Sequence, residues 1–284
     1  MTTTILYTVL CLSVIGILAA VVLYVIAQKF KVDEDPRIDE ISELLPGANC
    51  GGCGYAGCRQ FAEAVVNADE LSEFFCPVGG DCLMADIAKA LGKKHVEKEA
   101  MVAVVRCNGS YDKRPKVNIY DSSRSCAIAT YQYSGDTGCE YGCLGFGDCV
   151  SACLFDAIYI DKNTGLPIID EEKCTGCGAC VKVCPKNIIE LRKKGPKGRR
   201  IYVACANRDK GGIARKSCSV ACIGCSRCVK ECKFGAIEVK DFLAYIDFEK
   251  CRLCRKCISV CPTNAIVEIN FPLKQKEEKA EHHA

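Results

Sequence analysis

A run of closely spaced cysteines, CTGCGACVKVCP, occupies residues 174–185. Its spacing is C-x2-C-x2-C-x3-C-P, in which three thiolates bind one iron–sulfur cluster and the fourth thiolate binds a neighbouring cluster. Gly176 and Gly178 permit the tight backbone turns that such a loop needs. Structural zinc sites use two separated C-x2-C pairs or mixtures of Cys and His, so zinc is the poorer alternative. The run therefore predicts a cluster site and a partner run elsewhere in the chain.

Four segments of the chain share this pattern, in which a run of cysteines is followed by a short apolar segment. They end in CLFDAI, CPKNII, CKFGAI and CPTNAI, at residues 153–158, 184–189, 232–237 and 261–266. After each segment, the residues YI, EL, EV and VEI predict a short strand. The repeats form two pairs, and each pair predicts a small α+β domain that holds two [4Fe-4S] clusters in the manner of a ferredoxin.

The C-terminal pair of runs has a regular spacing throughout. Each run supplies three cysteines to its own cluster and sends its last cysteine to the other cluster. The predicted ligand sets are Cys222, Cys225, Cys228 and Cys261 for one cluster, and Cys251, Cys254, Cys257 and Cys232 for the other.

The first pair of runs departs from this spacing at one position. When CLGFGDCVSAC is aligned with CIGCSRCVKEC, Phe146 occupies the place of Cys225. Cys139 lies four residues before Cys143, just as Cys218 lies four residues before Cys222. Cys139 is therefore predicted to replace the missing ligand. The predicted sets are Cys139, Cys143, Cys149 and Cys184, and Cys174, Cys177, Cys180 and Cys153.

Further cysteines lie upstream of both pairs and are also related by the repeat. They are Cys107, Cys126, Cys205 and Cys218. Such a quartet has the composition of a further cluster site, but its spacing is not that of a known ligand loop. Because free cysteines are commonly buried, we interpret the four as structural thiols.

A separate cysteine-rich module precedes the repeats, at residues 31–100. The segment PGANCGGCGYAGC is rich in glycine, and apolar residues at helical spacing follow it. The module is therefore predicted to be mainly helical and to hold one more cluster, with a zinc knuckle as the alternative. Cys82 is interpreted as a buried thiol. The predicted ligands are Cys50, Cys53, Cys58 and Cys76.

The N-terminal segment has the composition of a membrane anchor. No charged residue occurs from Ile5 to Ala27, and a membrane-spanning helix needs about 20 apolar residues. A signal peptide, the alternative, carries a basic region before a shorter apolar core, and no basic residue precedes Ile5. Lys29 and Lys31 follow the segment, which places the rest of the chain in the cytoplasm. Cytosolic thiols stay reduced, so most of the 26 cysteines are expected to be metal ligands.

The charged residues exclude one class of partner and suggest another. A net charge of +3 on 284 residues is too small to indicate nucleic-acid binding. The basic run LRKKGPKGRR, residues 191–200, would suit the docking of an acidic protein. Because charge runs are usually solvated, we interpret it as a linker between the two ferredoxin-like domains.

The anchor, the GANCGGCGYAGC module and the tandem ferredoxin repeats together resemble the B subunits of Rnf complexes. The resemblance covers essentially the whole chain, although shorter family members carry one ferredoxin domain and this chain carries two. It implies a cell (inner) membrane complex that moves electrons between reduced ferredoxin and NAD and pumps Na+ or H+. The implied partners are the other subunits of the complex and soluble ferredoxin as electron donor.

These inferences predict a fold, a domain order and a role. The fold is a single transmembrane helix (1–30), a small mainly helical iron–sulfur module (31–100), tandem α+β ferredoxin-like domains (101–195 and 196–270) and a charged tail (271–284). The chain would be an electron-transfer subunit of a translocating oxidoreductase with about five [4Fe-4S] clusters. No dinucleotide-binding fingerprint is visible, so NAD would bind another subunit. The alternatives are an iron–sulfur subunit of a hydrogenase or formate dehydrogenase, and a zinc-stabilised scaffold.

Overall fold

The computed structural model describes residues 2–29, 35–132 and 135–272. Helix α1 covers Thr2–Lys29, and its large apolar side chains from Leu6 to Ile26 are between 47% and 70% exposed. Within the described residues, no helix qualifies by length and hydropathy as a membrane-crossing segment, so the predicted transmembrane helix is not confirmed. Nearly all of the predicted charged tail lies outside the described residues.

The cysteine-rich module is helical, as its sequence predicts. It contains α2 (Pro36–Leu44), α3 (Cys58–Asn67) and α4 (Gly80–Leu91), which surround one apolar core. The carboxylate of Asp35 accepts a hydrogen bond from the Arg37 amide and caps α2. Gly92 adopts the left-handed conformation that ends α4.

The first ferredoxin-like domain consists of two antiparallel strand pairs and three short helices. Strand β1 (Met101–Val105) pairs with β4 (Ile189–Lys193), and β2 (Ile158–Ile160) pairs with β3 (Pro167–Ile169). The helices are α5 (Cys126–Gln132), α6 (Asp148–Ser151) and α7 (Ala179–Val183).

The second ferredoxin-like domain repeats this arrangement. Strand β5 (Arg200–Val203) pairs with β8 (Ile266–Ile269), and β6 (Ile237–Lys240) pairs with β7 (Leu243–Ile246). Its helices are α8 (Gly211–Ser217), α9 (Arg227–Glu231) and α10 (Lys256–Ser259). The strands β2, β4, β6 and β8 all follow cysteine runs, so the four predicted strands are confirmed.

The basic run connects the two domains, as predicted, but it is not solvated along its whole length, and that part of the interpretation is wrong. Arg192 is 1% exposed and Arg200 is 5% exposed. The guanidinium of Arg192 lies over the rings of Tyr202, Tyr245 and Phe248, which belong to the second domain. The run therefore attaches β4 of one domain to the aromatic surface of the other.

Candidate iron–sulfur sites

The helical module places its predicted cysteines around one cavity. The amide of Cys58 donates to Asn49 Oδ1 at 2.8 Å, which fixes the start of α3 against the cysteine loop. The amide of Gly79 lies 3.4 Å from Cys76 Sγ. The module thus brings together all four of its predicted ligands, because the cavity is lined by Cys50, Cys53, Cys58 and Cys76.

A similar cavity occurs in the second ferredoxin-like domain. It lies where the cysteine run that follows β7 meets Cys232, the last cysteine of the run that precedes β6. Apolar side chains, among them Ile201 and Ile246, complete its wall. Burial raises the pKa of the Cys257 thiol to about 12, and the nearby thiols of Cys251 and Cys254 add to this shift. The cavity is lined by the predicted set Cys232, Cys251, Cys254 and Cys257.

The corresponding cavity of the first domain differs from its prediction at one position. Cys143, Cys149 and Cys184 line it, and Cys126 lines it where Cys139 is predicted. The amides of Phe146 and Gly147 donate toward Cys126 Sγ, so this sulfur lies beside the position at which the second domain has Cys225. Sequence spacing does not predict Cys126 at this cavity, because this cysteine lies far outside the run 143–153.

Asp148 holds Cys126 beside this cavity. One carboxylate oxygen accepts from the amide of Cys126 at 2.9 Å, and the other accepts from Ala127 at 3.1 Å and from Ser125 Oγ at 3.0 Å. Burial opposes ionisation of Asp148, but these hydrogen bonds outweigh it and hold the pKa of the carboxyl group below its ordinary value. The carboxylate therefore anchors the start of α5.

The two remaining predicted sets also converge. Burial, together with smaller contributions from the nearby thiols of Cys174, Cys177, Cys149 and Cys153, raises the pKa of Cys180 to about 12. In the second domain, burial raises the pKa of Cys228 to about 11, and the other members of its predicted set contribute in the same direction. These contributions show that each cysteine lies close to the members of its own set.

The surroundings of these thiols fit iron–sulfur clusters. Several buried thiolates in one cavity repel one another, so they stay protonated unless bound cations compensate their charge. Each of the cavities that Cys126, Cys257 and Cys76 line also has apolar side chains in its wall, among them Ile188, Ile246 and Phe61 respectively. Over residues 2–29, 35–132 and 135–272, no group of three or more Cys, His, Asp or Glu side chains is arranged to hold a single metal ion.

The cysteines outside the five predicted sets divide into two kinds. Cys82 is exposed, so its prediction as a buried thiol is wrong. Cys205 and Cys218 are buried, and Cys107 is half-buried. Cys139 lies among this second group: its thiol contacts Asn207, and Cys107 contributes to the raised pKa that burial gives it.

Comparison with known families supports this chemistry in three parts of the chain. Residues 45–77 match the Fe-S cluster family, residues 167–190 match the 4Fe-4S binding domain family, and residues 221–265 match the 4Fe-4S dicluster domain family. The helical module and both ferredoxin-like domains therefore each contain a matched iron–sulfur segment.

Three curated relatives align with most of the chain. The B subunit of the Na(+)-translocating ferredoxin:NAD(+) oxidoreductase complex of Acetobacterium woodii is 45% identical over 90% of this chain and 75% of its own length. The B subunit of the ion-translocating oxidoreductase complex of Methanosarcina acetivorans is 39% identical over 90% of this chain and 95% of its own. The B subunit of the proton-translocating ferredoxin:NAD(+) oxidoreductase complex of Clostridium ljungdahlii is 40% identical over 91% and 90%.

The chain belongs to this family of B subunits. The family predicted from the GANCGGCGYAGC module and the tandem repeats is thereby confirmed. Membership in this family argues against both alternatives from the sequence. The first was an iron–sulfur subunit of a hydrogenase or formate dehydrogenase, and the second was a zinc-stabilised scaffold.

Proposed function

We propose that this chain carries electrons from reduced ferredoxin into a membrane complex that reduces NAD+ and pumps Na+ or H+. The observation that carries the proposal is the convergence of cysteines in fours inside a member of this family of B subunits. When bound, [4Fe-4S] clusters accept and donate single electrons. The protein supplies the thiolate ligands and holds the sites close to one another.

We assign five ligand sets and change one from its sequence-based prediction. Cys126 replaces Cys139 in the first domain, because Cys126 lines the cavity with the other three cysteines. The sets are Cys50, Cys53, Cys58 and Cys76; Cys153, Cys174, Cys177 and Cys180; Cys126, Cys143, Cys149 and Cys184; Cys222, Cys225, Cys228 and Cys261; and Cys232, Cys251, Cys254 and Cys257.

The module and the first domain supply sites in direct contact. A methyl group on Gly52 would lie 2.9 Å from Cys177 Cβ, so the module loop packs on the loop of the next set. Lys182 Nζ donates to the carbonyl of Gly51 at 3.4 Å across the same contact. These contacts would hold the module set beside the Cys177 set for electron transfer.

Within each ferredoxin-like domain, neighbouring sets also approach each other. Cys149 contributes to the raised pKa of Cys180, and Cys228 contributes to that of Cys257, although burial is the larger cause in both. The last cysteine of each run bridges to the other set, which holds the two sites together. Each domain therefore supplies two coupled sites.

We infer that α1 anchors the chain in the membrane with the iron–sulfur domains on the cytoplasmic side. The uncharged sequence from Ile5 to Ala27 and the exposed apolar side chains of α1 support this inference. Lys29 and Lys31 support the orientation. The other subunits of the complex would then receive electrons at the membrane.

Anaerobic purification of the complex from membranes tests the proposed function. We expect about 20 irons per chain for five four-iron clusters, with reducible paramagnetic centres. We also expect ferredoxin-dependent NAD+ reduction by the intact complex, assayed with and without Na+ because the relatives differ in the ion they translocate. Zinc in place of iron, or an unchanged rate in complexes reconstituted without this chain, would refute the proposal.

A further inference from the structure

Four cysteines that the five sets leave unused are paired by the internal repeat. Cys107 follows β1, and Cys205 follows β5 at the matching position of the second domain. Cys139 and Cys218 also match, because each precedes the first cysteine of a ligand run at the same distance. Each ferredoxin-like domain therefore contributes two equivalent cysteines.

A glycine lies between two of these four sulfurs. A methyl group on Gly109 would lie 3.2 Å from Cys218 Sγ and 3.7 Å from Cys107 Sγ. Burial raises the pKa of Cys218, and both Cys107 and Cys139 raise it further. Cys107 of the first domain thus approaches Cys218 of the second domain. The residue between their sulfur atoms, Gly109, has no side chain that would fill the space.

Asn207 contacts the other two sulfurs and is 1% exposed. Its Nδ2 atom lies 3.5 Å from Cys139 Sγ, and its backbone amide lies 3.4 Å from Cys205 Sγ. The amide of Cys222 also donates to Cys205 Sγ, at 3.3 Å. Hydrogen bonds from N–H groups stabilise thiolates and tune the potentials of iron–sulfur clusters.

A buried guanidinium lies beside this quartet without a carboxylate partner. Arg114 is 3% exposed, donates from Nη1 to the carbonyl of Cys143, and has no hydrogen-bond partner at Nε. Across the described residues, no ion pair of Arg114 is found. A methyl group on Gly142 would lie 3.3 Å from Arg114 Nη1 and 3.4 Å from Cys139 Cβ, and one on Gly109 would lie 3.4 Å from Arg114 Cδ, so the side chain runs beside both Cys139 and Cys218. Because an unpaired buried charge is strongly unfavourable, Arg114 calls for an anionic neighbour, and four neutral thiols do not provide one.

The quartet lies between the two ferredoxin-like domains. Cys107 contributes to the raised pKa of Cys143 on one side, and Cys205 accepts the Cys222 amide on the other. Cys143 belongs to a set of the first domain and Cys222 to a set of the second. None of the five assigned sets contains cysteines from both ferredoxin-like domains. The quartet therefore lies where a relay of electrons between the two domains is needed.

We propose that Cys107, Cys139, Cys205 and Cys218 bind a further [4Fe-4S] cluster, with Arg114 as its buried counter-charge. The site receives one electron from the set of one domain and passes it to the set of the other, without bond or proton transfer. This proposal rests on the proposed iron–sulfur function of the chain. It differs from that function in predicting six clusters rather than five.

Native mass spectrometry of the anaerobically purified full-length chain provides a count that needs no variant. Six cluster equivalents per chain support the proposal, whereas five clusters with the quartet as free thiols, or five clusters and one zinc, overturn it. A chain without any cluster would instead refute the proposed function as a whole. The two failures are therefore distinguishable.

Substitutions then locate the additional cluster. We expect Cys139→Ser and Cys218→Ser each to remove about four irons per chain, and Cys82→Ser, at an exposed thiol, to remove none. An unchanged iron content in both ligand variants would overturn the assignment. Arg114→Gln should lower the midpoint potential of one cluster in an EPR-monitored titration, because a positive charge beside the added electron is lost. Arg114→Lys should lower it less, and identical potentials in Arg114→Gln would contradict the counter-charge role.

Discussion

The two ferredoxin-like domains share their strand pairing but differ at one predicted ligand position. In the second domain, Cys225 lies within the run itself. In the first domain, Phe146 occupies that position, its ring packs against Tyr120 with centroids 5.2 Å apart, and Cys126 from α5 lines the cavity instead. A cluster requires a sulfur atom at a particular position in space. The segment of the chain that supplies this sulfur can differ between related domains.

A second difference accompanies the first. Asp148, which anchors α5, aligns with Arg227 in the second domain, where no distant helix has to be held beside the site. Similarly, Arg192 of β4 aligns with Ile269 of β8, so only the first domain inserts a cation into the aromatic surface of its neighbour. The first domain therefore has two contacts that the second domain lacks, one that holds Cys126 beside the cavity and one that joins the two domains.

The largest effect is expected from exchanging the ligand itself. Cys126→Ser should lose about four irons per chain, because one thiolate of a four-iron cluster is removed. Adding Phe146→Cys to this variant should restore the iron, since it returns the sulfur to the position of Cys225. Iron and acid-labile sulfide analysis checks both. Full iron content in Cys126→Ser alone would return Cys139 to the first set.

The interface cation is expected to have the next largest effect. Arg192→Met should lower the free energy of unfolding by about 2 kcal/mol, because a desolvated cation over aromatic rings is lost. Denaturant titration of the anaerobic protein measures the change, with Arg252→Met as the matched control at an exposed position. Equal stability of the two variants would mean that Arg192 does not join the domains.

The carboxylate that anchors α5 should have a smaller effect. Asp148→Asn should cost about 1 kcal/mol, the usual scale for losing a helix-capping carboxylate. Because the pKa of Asp148 is lowered in the folded protein, its contribution is present above the ordinary pKa of a carboxyl group. The contribution is lost as the pH falls through the lowered value. We therefore expect the free energy of unfolding of the wild-type chain to exceed that of Asp148→Asn at neutral pH, and the two values to agree at acidic pH.

The smallest effect is expected in the basic run. Lys193 is engaged with Glu99 and Glu249, whereas Lys197 is exposed on the turn between the domains. Lys197→Glu should change the rate of ferredoxin oxidation by less than about twofold, as for an exposed charge outside a docking surface. Stopped-flow rates at several salt concentrations check this. A clearly slower rate with a flatter salt dependence would place ferredoxin docking on this turn.

Local patterns in the sequence were sufficient for much of the fold. The short apolar finishes after the four cysteine runs predicted β2, β4, β6 and β8, because strand preference and the cysteine loop are both properties of a few adjacent residues. Arg192 and Arg200 could not be recognised as buried, since a charge run looks the same whether water or aromatic rings surround it. Cys82 was assigned to the interior from residue type alone, and it lies on an exposed face of α4.

The family, the repeat and the chemistry of the cysteine loops could be inferred from local patterns in the chain. Ligands three or four residues apart must converge wherever the loop is placed. The tertiary structure was needed to show that Cys126, rather than Cys139, lines the cavity of the first domain, and that Cys107 and Cys139 lie near Cys218. Those positions are separated by long stretches of chain. Their proximity depends on the packing within the first domain and, for Cys218, on how the two domains pack, which no local spacing encodes.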